Sequence, residues 1–268
     1  MTFSKMTRRD AMLFASAITA CQCLGCNSST PSPTPPDADA IRNSELLMNR
    51  IVFPGNPWPN GHAIKELIWS ARLDPENGLW FDLHLESDDY YAEDEDEEGE
   101  EEEDEDASDW ESKIVWSNYH SCILSSTYWG HRGFLAATKD RPLDFSSLGE
   151  RSFKLDPLPP PDEVFDRAFG IYLLGHDGAA DHHIRFTPQG STSNYLLDWR
   201  GKIALEYAGS DVFEYAFHAT YDHLAFEGIR LPDGASETDA MALLNSLVDN
   251  IGQLKARRKD DSLWLTPQ

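Results

Sequence analysis

The stretch "GHDGAADHHIRF", residues 175–186, holds the densest set of side chains that could do chemistry: His176, Asp177, Asp181, His182 and His183. Imidazole nitrogen with carboxylate oxygen is the donor set of zinc and similar divalent cations, and such an ion can activate water for hydrolysis. His176, Asp181, His182 and His183 are therefore the candidate ligands of a divalent metal. Adjacent residues on a strand point to opposite faces, however, so His182 and His183 reach one ion only if the chain is irregular between them. The plainer reading is a polar turn before an edge strand, with no cofactor. Neither HExxH nor a paired CxxC is present.

"FHATYDHLAF" offers a second polar set, His218, Asp222 and His223. His218 and Asp222 share strand parity but stand about 13 Å apart along the strand, too far for an acid–base pair. Cys122, in "SNYHSCILSS", lies two residues from His120. Residues two apart share a face without having to touch, so an inert buried thiol is a simpler reading than a nucleophile with its base. GxSxG, GxxxxGK[ST] and GxGxxG are all absent, and catalytic residues stay unassigned.

The elements that must position these groups are mostly strands. In "KELIWSARLDPENGLWFDLHLES", two β-type runs flank Asp74–Gly78, a hairpin turn of the expected residue types. Leu79, Phe81, Leu83 and Leu85 alternate with Trp80, Asp82 and His84, which sets one face inward. "KIVWSNYHSCILSS" and "RGFLAAT" read as two more strands, and the proline-rich stretch after them as a long connection. "HHIRFTPQG", "SNYLLDWRGKIALEYAG" and "DVFEYAFHATYDHLAFEGIRL" then form an antiparallel meander, with Trp199–Lys202 read as one of its glycine-containing turns. Near the C-terminus Ser236 and Asp239 make a capping-box variant. Met241, Leu244, Leu247, Val248, Ile251 and Leu254 follow as one apolar stripe, ending near Lys255, Arg257 and Arg258. The expected fold is thus α+β: a mainly antiparallel sheet with a C-terminal amphipathic helix packed on it.

Charge is distributed unevenly. The net charge is −25, yet residues 86–111 hold 18 of the 47 acids and no base, and outside them 29 acids face 22 bases. A run of like charges repels itself and buries no apolar surface, so it reads as a disordered acidic loop interrupting the domain. Asp94, Asp96, Glu98, Gly99, Glu100, Glu102 and Glu105 meet the spacing of an EF-hand loop. In so acidic a tract any spacing arises by chance, and diffuse cation binding is the simpler expectation. Lysines and arginines form no stripe, which argues against a nucleic-acid partner.

The N-terminus has a basic start (Lys5, Arg8, Arg9), a short apolar run from Ala11 to Ala20, and then Cys21. That run is shorter than the roughly 20 residues needed to cross a bilayer, and no later stretch supplies them. The layout is that of a secretory signal. Thr7–Leu13 resembles a twin-arginine export motif, with Arg8 and Arg9 as its pair, although Ala11 and Met12 replace bulkier residues. Ile18-Thr19-Ala20-Cys21 resembles a bacterial lipobox. Cys23–Cys26 is a second reading of the lipobox, weaker because cysteine stands where a leucine-like residue is expected.

These resemblances imply a signal peptide over 1–20, lipidation at Cys21 and a Pro/Ser-rich tether over 21–40. A single α+β domain then spans 41–268. They also place the protein in a bacterial cell envelope, membrane-anchored by lipid and facing the periplasm or exterior. Gln22–Ala40 spans 19 residues and would reach up to about 60 Å. Three of the four cysteines fall in the leader and tether, so no disulfide framework is expected in the domain. The function expected from these features is a non-enzymatic binding or interaction module, with a protein partner among its ligands. The alternatives are a metal-dependent hydrolase using residues 176–183 and, without export, a cytosolic immunity-type neutralising protein.

Overall fold

Leu67, Trp69, Ala71 and Leu73 share one face of a strand whose other face carries Glu66, Ser70, Arg72 and Asp74, and the apolar face cannot remain in water. A computed structural model describes residues 48–76, 78–92, 107–190, 194–251, 254–259 and 261–267. Residues 1–40, with Arg8, Arg9 and Cys21, lie outside the described residues, as does 93–106 with its calcium-like spacing. In chain order the elements are β1 (Arg50–Val52), β2 (His62–Asp74), β3 (Gly78–Ser87), α1 (Lys113–Ser117), β4 (Ile123–Ser125), β5 (Phe134–Ala137), β6 (Leu143–Asp144) and β7 (Phe153–Leu155). They continue with β8 (Gly170–Tyr172), β9 (His176–Pro188), β10 (Asn194–Ala204), β11 (Tyr215–Arg230), α2 (Glu237–Leu244), β12 (Val248–Asp249), β13 (Leu254–Lys259) and β14 (Ser262–Pro267).

The main ladder runs β1-β2-β3-β4-β8-β9-β10-β11, and β11 then pairs back onto both β1 and β2. A ladder whose last strand bonds to its first is a closed barrel, with no free edge along that path. Pairing is antiparallel apart from β2 with β11 and β6 with β12. The expected hairpin is present, with Asp74 opposite Gly78. The expected meander is β9–β10–β11. Aromatic rings fill the interior: Trp69 stacks on Phe186 at 4.3 Å and meets Phe226 at 4.7 Å and Phe81 at 5.3 Å. Each such ring buries about 150–250 Å². Leu79, Phe81, Leu83 and Leu85 are fully buried, so the inward face read from alternation is the face the barrel uses.

Three elements differ from the sequence expectation. Residues 113–117 form a helix, not the start of a strand. Ile114 and Val115 favour a strand locally, but Ser112 caps Val115 N–H at 3.3 Å. The turn then drops Trp116 among Phe53, Tyr90 and Trp110. The C-terminal helix is the second. Ser236 caps it as expected, accepting from Asp239 N–H at 3.1 Å, but it closes at Leu244. Leu247 is buried beyond it in a turn, its N–H donating to the Leu244 carbonyl at 2.9 Å, and Val248 is buried in extended chain, where it pairs with Leu143. Lys255, Arg257 and Arg258 sit on β13. The apolar stripe thus splits between a two-turn helix and a strand. The third is Trp199–Lys202, which lies inside β10 and makes no turn.

The acidic segment is folded at both ends. Glu86 and Ser87 belong to β3, Tyr90 is 1% exposed and Trp110 is 2% exposed. No helix among the described residues is long and apolar enough to cross a membrane.

Candidate functional site

His183, Arg200 and His218 lie side by side across three strands, because Arg200 of β10 pairs with His183 of β9 on one side and with His218 of β11 on the other. Strand alternation turns all three outward, while Ile184, Trp199 and Phe217 beside them point into the core. Two residues along each strand the same face carries Arg185 opposite Asp198, and on the other side Lys202. These side chains line an open cleft of about 710 Å³, with Ser152 and Asp181 at its margin. That volume lies within the roughly 300–1,000 Å³ range of ligand sites.

A bulge shapes the cleft. Arg200 pairs with His183 but Lys202 pairs with Ala180, so Asp181 and His182 together oppose Gly201. Asp181 takes up the extra residue with φ = 49°, a left-handed conformation that aspartate tolerates better than most residues. Its N–H donates to the Asp156 carbonyl at 2.7 Å. The partner position must be glycine for lack of space. A Cβ on Gly201 would lie 2.5 Å from the Phe217 ring and 2.9 Å from His182 Nδ1.

Ordinary strand alternation separates the histidines, turning His182 inward and His183 outward. His182 is fully buried between Phe169, Trp199 and Phe217, and its Nδ1 accepts from the Trp199 indole at 3.3 Å. Among the described residues its Nε2 has no hydrogen-bond partner, and the Asp156 carboxylate lies 3.9 Å away. Burial pushes His182 down to about 3, so the ring is neutral. His183 faces the cleft, with Nε2 3.5 Å from Asp181. His176 is exposed at the start of β9, its ring edge-on to Tyr172 and Trp129. Asp177 is buried and accepts from the Leu174 and Tyr207 N–H groups at 3.0 and 3.4 Å; burial pushes its carboxyl up. The structure therefore brings Asp181 and His183 together and sends His176 and His182 elsewhere. The four candidate ligands do not meet at one ion.

The other sequence candidates also part company. His218 turns to Asp198, 3.5 Å away, and not to Asp222. Asp222 contacts the Gln189 side chain and its neighbour His223 at 3.3 Å. Cys122 is fully buried, and burial pushes its thiol up, while His120 is exposed beside Asp89 at 3.5 Å. They form no nucleophile–base pair.

Asp198 is the electrostatic centre of the cleft. Burial pushes its carboxyl up, but His218 and Arg200 outweigh burial and hold it below its ordinary value. Arg200 grips it in a fork, Nε to Oδ1 and Nη2 to Oδ2, both at 3.0 Å. Arg185 and Lys202 line the cleft and make no ion pair or side-chain hydrogen bond among the described residues. Asp198, Arg200, Lys202 and Arg185 are residues of the candidate site that the sequence reading missed. Their signal was the two-residue period of "DWRGK" and of His183 with Arg185, which puts charge on one face of neighbouring strands.

Comparison with known protein families, with curated proteins and with solved structures finds no match to this chain.

Proposed function

We propose that the protein is exported, anchored in a bacterial cell envelope by lipid on Cys21, and binds a compact anionic ligand in the cleft on β9–β11 without transforming it. The observation that carries the binding reading is the pair of cations, Arg185 and Lys202, that make no ion pair among the described residues, beside a guanidinium and two imidazoles in a chain of net charge −25. A cation with no protein partner in a concave site is a ready contact for carboxylate or phosphate. Long polyanions such as nucleic acid are repelled by the rest of the molecule, so the ligand must be small enough to feel mainly the local field.

Calorimetric titration of the full chain with inorganic triphosphate tests the site. Wild type is expected to bind one equivalent. The double variant Arg185→Ala/Lys202→Ala should bind about tenfold more weakly or worse, since each charge-assisted bond is worth about 1.5–3 kcal/mol. Absence of saturable binding, or a double variant that binds as wild type does, overturns the reading.

The resemblance of Ile18–Cys21 to a lipobox supports the anchor. Cys21→Ala is expected to abolish fatty-acid labelling and to shift the protein from the membrane to the soluble fraction. Unchanged labelling and partitioning would remove the anchor from the proposal.

A further inference from the structure

The β2–β3 hairpin carries a second cluster of potential ligands, remote in sequence from residues 176–183. Glu66 of β2 stands directly opposite Glu86 of β3, and His84 lies one outward-facing position along, opposite Ile68. The inward side of the same hairpin is Leu67, Trp69, Leu83 and Leu85, all buried, so the alternation fixes the outward direction of the three polar side chains. A register shift between Ile64 and Glu66 inserts Lys65 as an extra residue and brings the two glutamates level.

Two carboxylates placed directly across a strand pair repel each other. One of them has a cation: Lys65 Nζ donates to Glu86 Oε1 at 2.6 Å. Glu66 faces the His84 ring, whose Nε2 is 3.5 Å from Glu66 Oε2. That ring is mostly buried and is stacked on Tyr128, with centroids 6.0 Å apart and planes 14° from parallel. It therefore presents its nitrogen from a held orientation.

We propose that Glu66, His84 and Glu86 bind one zinc-like divalent cation, with the remaining coordination position open to solvent. One ligand atom from each residue already lies within 4.8 Å of the other two. Donors about 2.1 Å from a tetrahedral ion are about 3.4 Å apart. The His84–Glu66 edge has that length, and Glu86 closes the set by a change of rotamer that releases Lys65. One imidazole with two carboxylates suits zinc and its neighbours, whereas calcium requires six to eight oxygens. This site shares no residue with the anion cleft and does not depend on it.

The test is a titration of metal-stripped full chain with ZnCl₂ in a large excess of Mg²⁺, which occupies the diffuse acidic sites. Wild type should take up one tightly held Zn²⁺ per chain. His84→Ala and Glu66→Gln should each weaken binding at least about tenfold, since even loss of an outer partner of a ligand costs that much. Arg185→Ala/Lys202→Ala should leave it unchanged. Lys65→Ala should tighten it, because Glu86 no longer has to exchange a lysine for the ion. The proposal is overturned if no stoichiometric Zn²⁺ survives the Mg²⁺ competition, if His84→Ala binds as wild type does, or if Lys65→Ala binds more weakly.

Discussion

Gly201→Val is expected to lower the melting temperature by about 6–12 °C, on about 3 kcal/mol of overpacking and about 2–4 °C per kcal/mol for a domain of this size. Gly201 has an ordinary strand conformation, so the cost does not come from its backbone angles. It comes from the Phe217 ring, which occupies the space of the absent side chain, and from His182 Nδ1 on the bulge opposite. Phe217 is 2% exposed and His182 is fully buried, so neither can swing into solvent to make room. Thermal unfolding followed by circular dichroism measures the shift. A variant melting within about a degree of wild type would show that β9 and β10 do not pack as described. Because Gly201 lines the anion cleft, the same variant should also weaken triphosphate binding.

Acid should destabilise the fold well before the carboxylates titrate. His182 falls from an ordinary 6.5 to about 3 because burial disfavours its charged form. The unfolded chain therefore binds a proton that the folded chain refuses, and stability declines as pH drops from 6.5 towards 3. The full window is worth roughly 5 kcal/mol, with about 2 kcal/mol lost between pH 6.5 and about pH 5. Burial lowers His131 as well, which adds to the loss with the same sign. Asp156 and Asp177, both pushed up by burial, act in the opposite direction. Each keeps its proton in the folded state while the unfolded chain still ionises, so together they offset part of the loss once the pH enters the carboxylate range. Asp198, held low by His218 and Arg200 despite its burial, gives up its stabilisation only as pH falls below that range.

His182→Asn separates these contributions. Asparagine keeps an acceptor near the position of Nδ1 for the Trp199 indole, and it has no proton to gain. The variant should be less stable at neutral pH, for loss of packed volume, and its stability should fall less steeply between pH 6.5 and 5. Urea unfolding across that interval reads both effects. Parallel pH slopes for wild type and variant would mean that His182 is not the buried neutral ring described.

What could be read in the residue order follows from how local each signal is. The β2–β3 hairpin and the inward face of β3 were legible because a two-residue alternation and a turn-forming pentapeptide need no distant partner. The Ser236 cap was legible for the same reason. The length of α2 was not. Leu247 and Val248 fit a helical stripe, but the chain turns at Leu247 and Val248 pairs with Leu143 on a distant strand, a partner nothing local specifies. Asn245, Asn250 and Gly252 were the available warning that the helix ends early. Residues 113–117 failed similarly: β-branched Ile114 and Val115 outweighed a cap whose value depends on a pocket for Trp116.

The candidate site was half legible. His183 and Asp181 are in the dense cluster, but the bulge at Asp181 and His182 lies opposite Gly201 on a neighbouring strand, where the Phe217 ring of a third strand fills the space of a side chain. Gly201 itself reads naturally as a turn residue until that ring is placed. Arg200 and His218 become neighbours through β10–β11 register, which nothing local specifies.

The anion cleft is tested most directly by ¹H–¹⁵N spectra of the full chain recorded with increasing inorganic triphosphate. Saturable shifts are expected for the amides of His183, Arg185, Arg200, Lys202 and His218, with Glu66 and His84 on the β2–β3 hairpin unmoved. Shifts that never saturate, or that saturate elsewhere and leave β9–β11 untouched, would contradict the assignment of this face as the binding site.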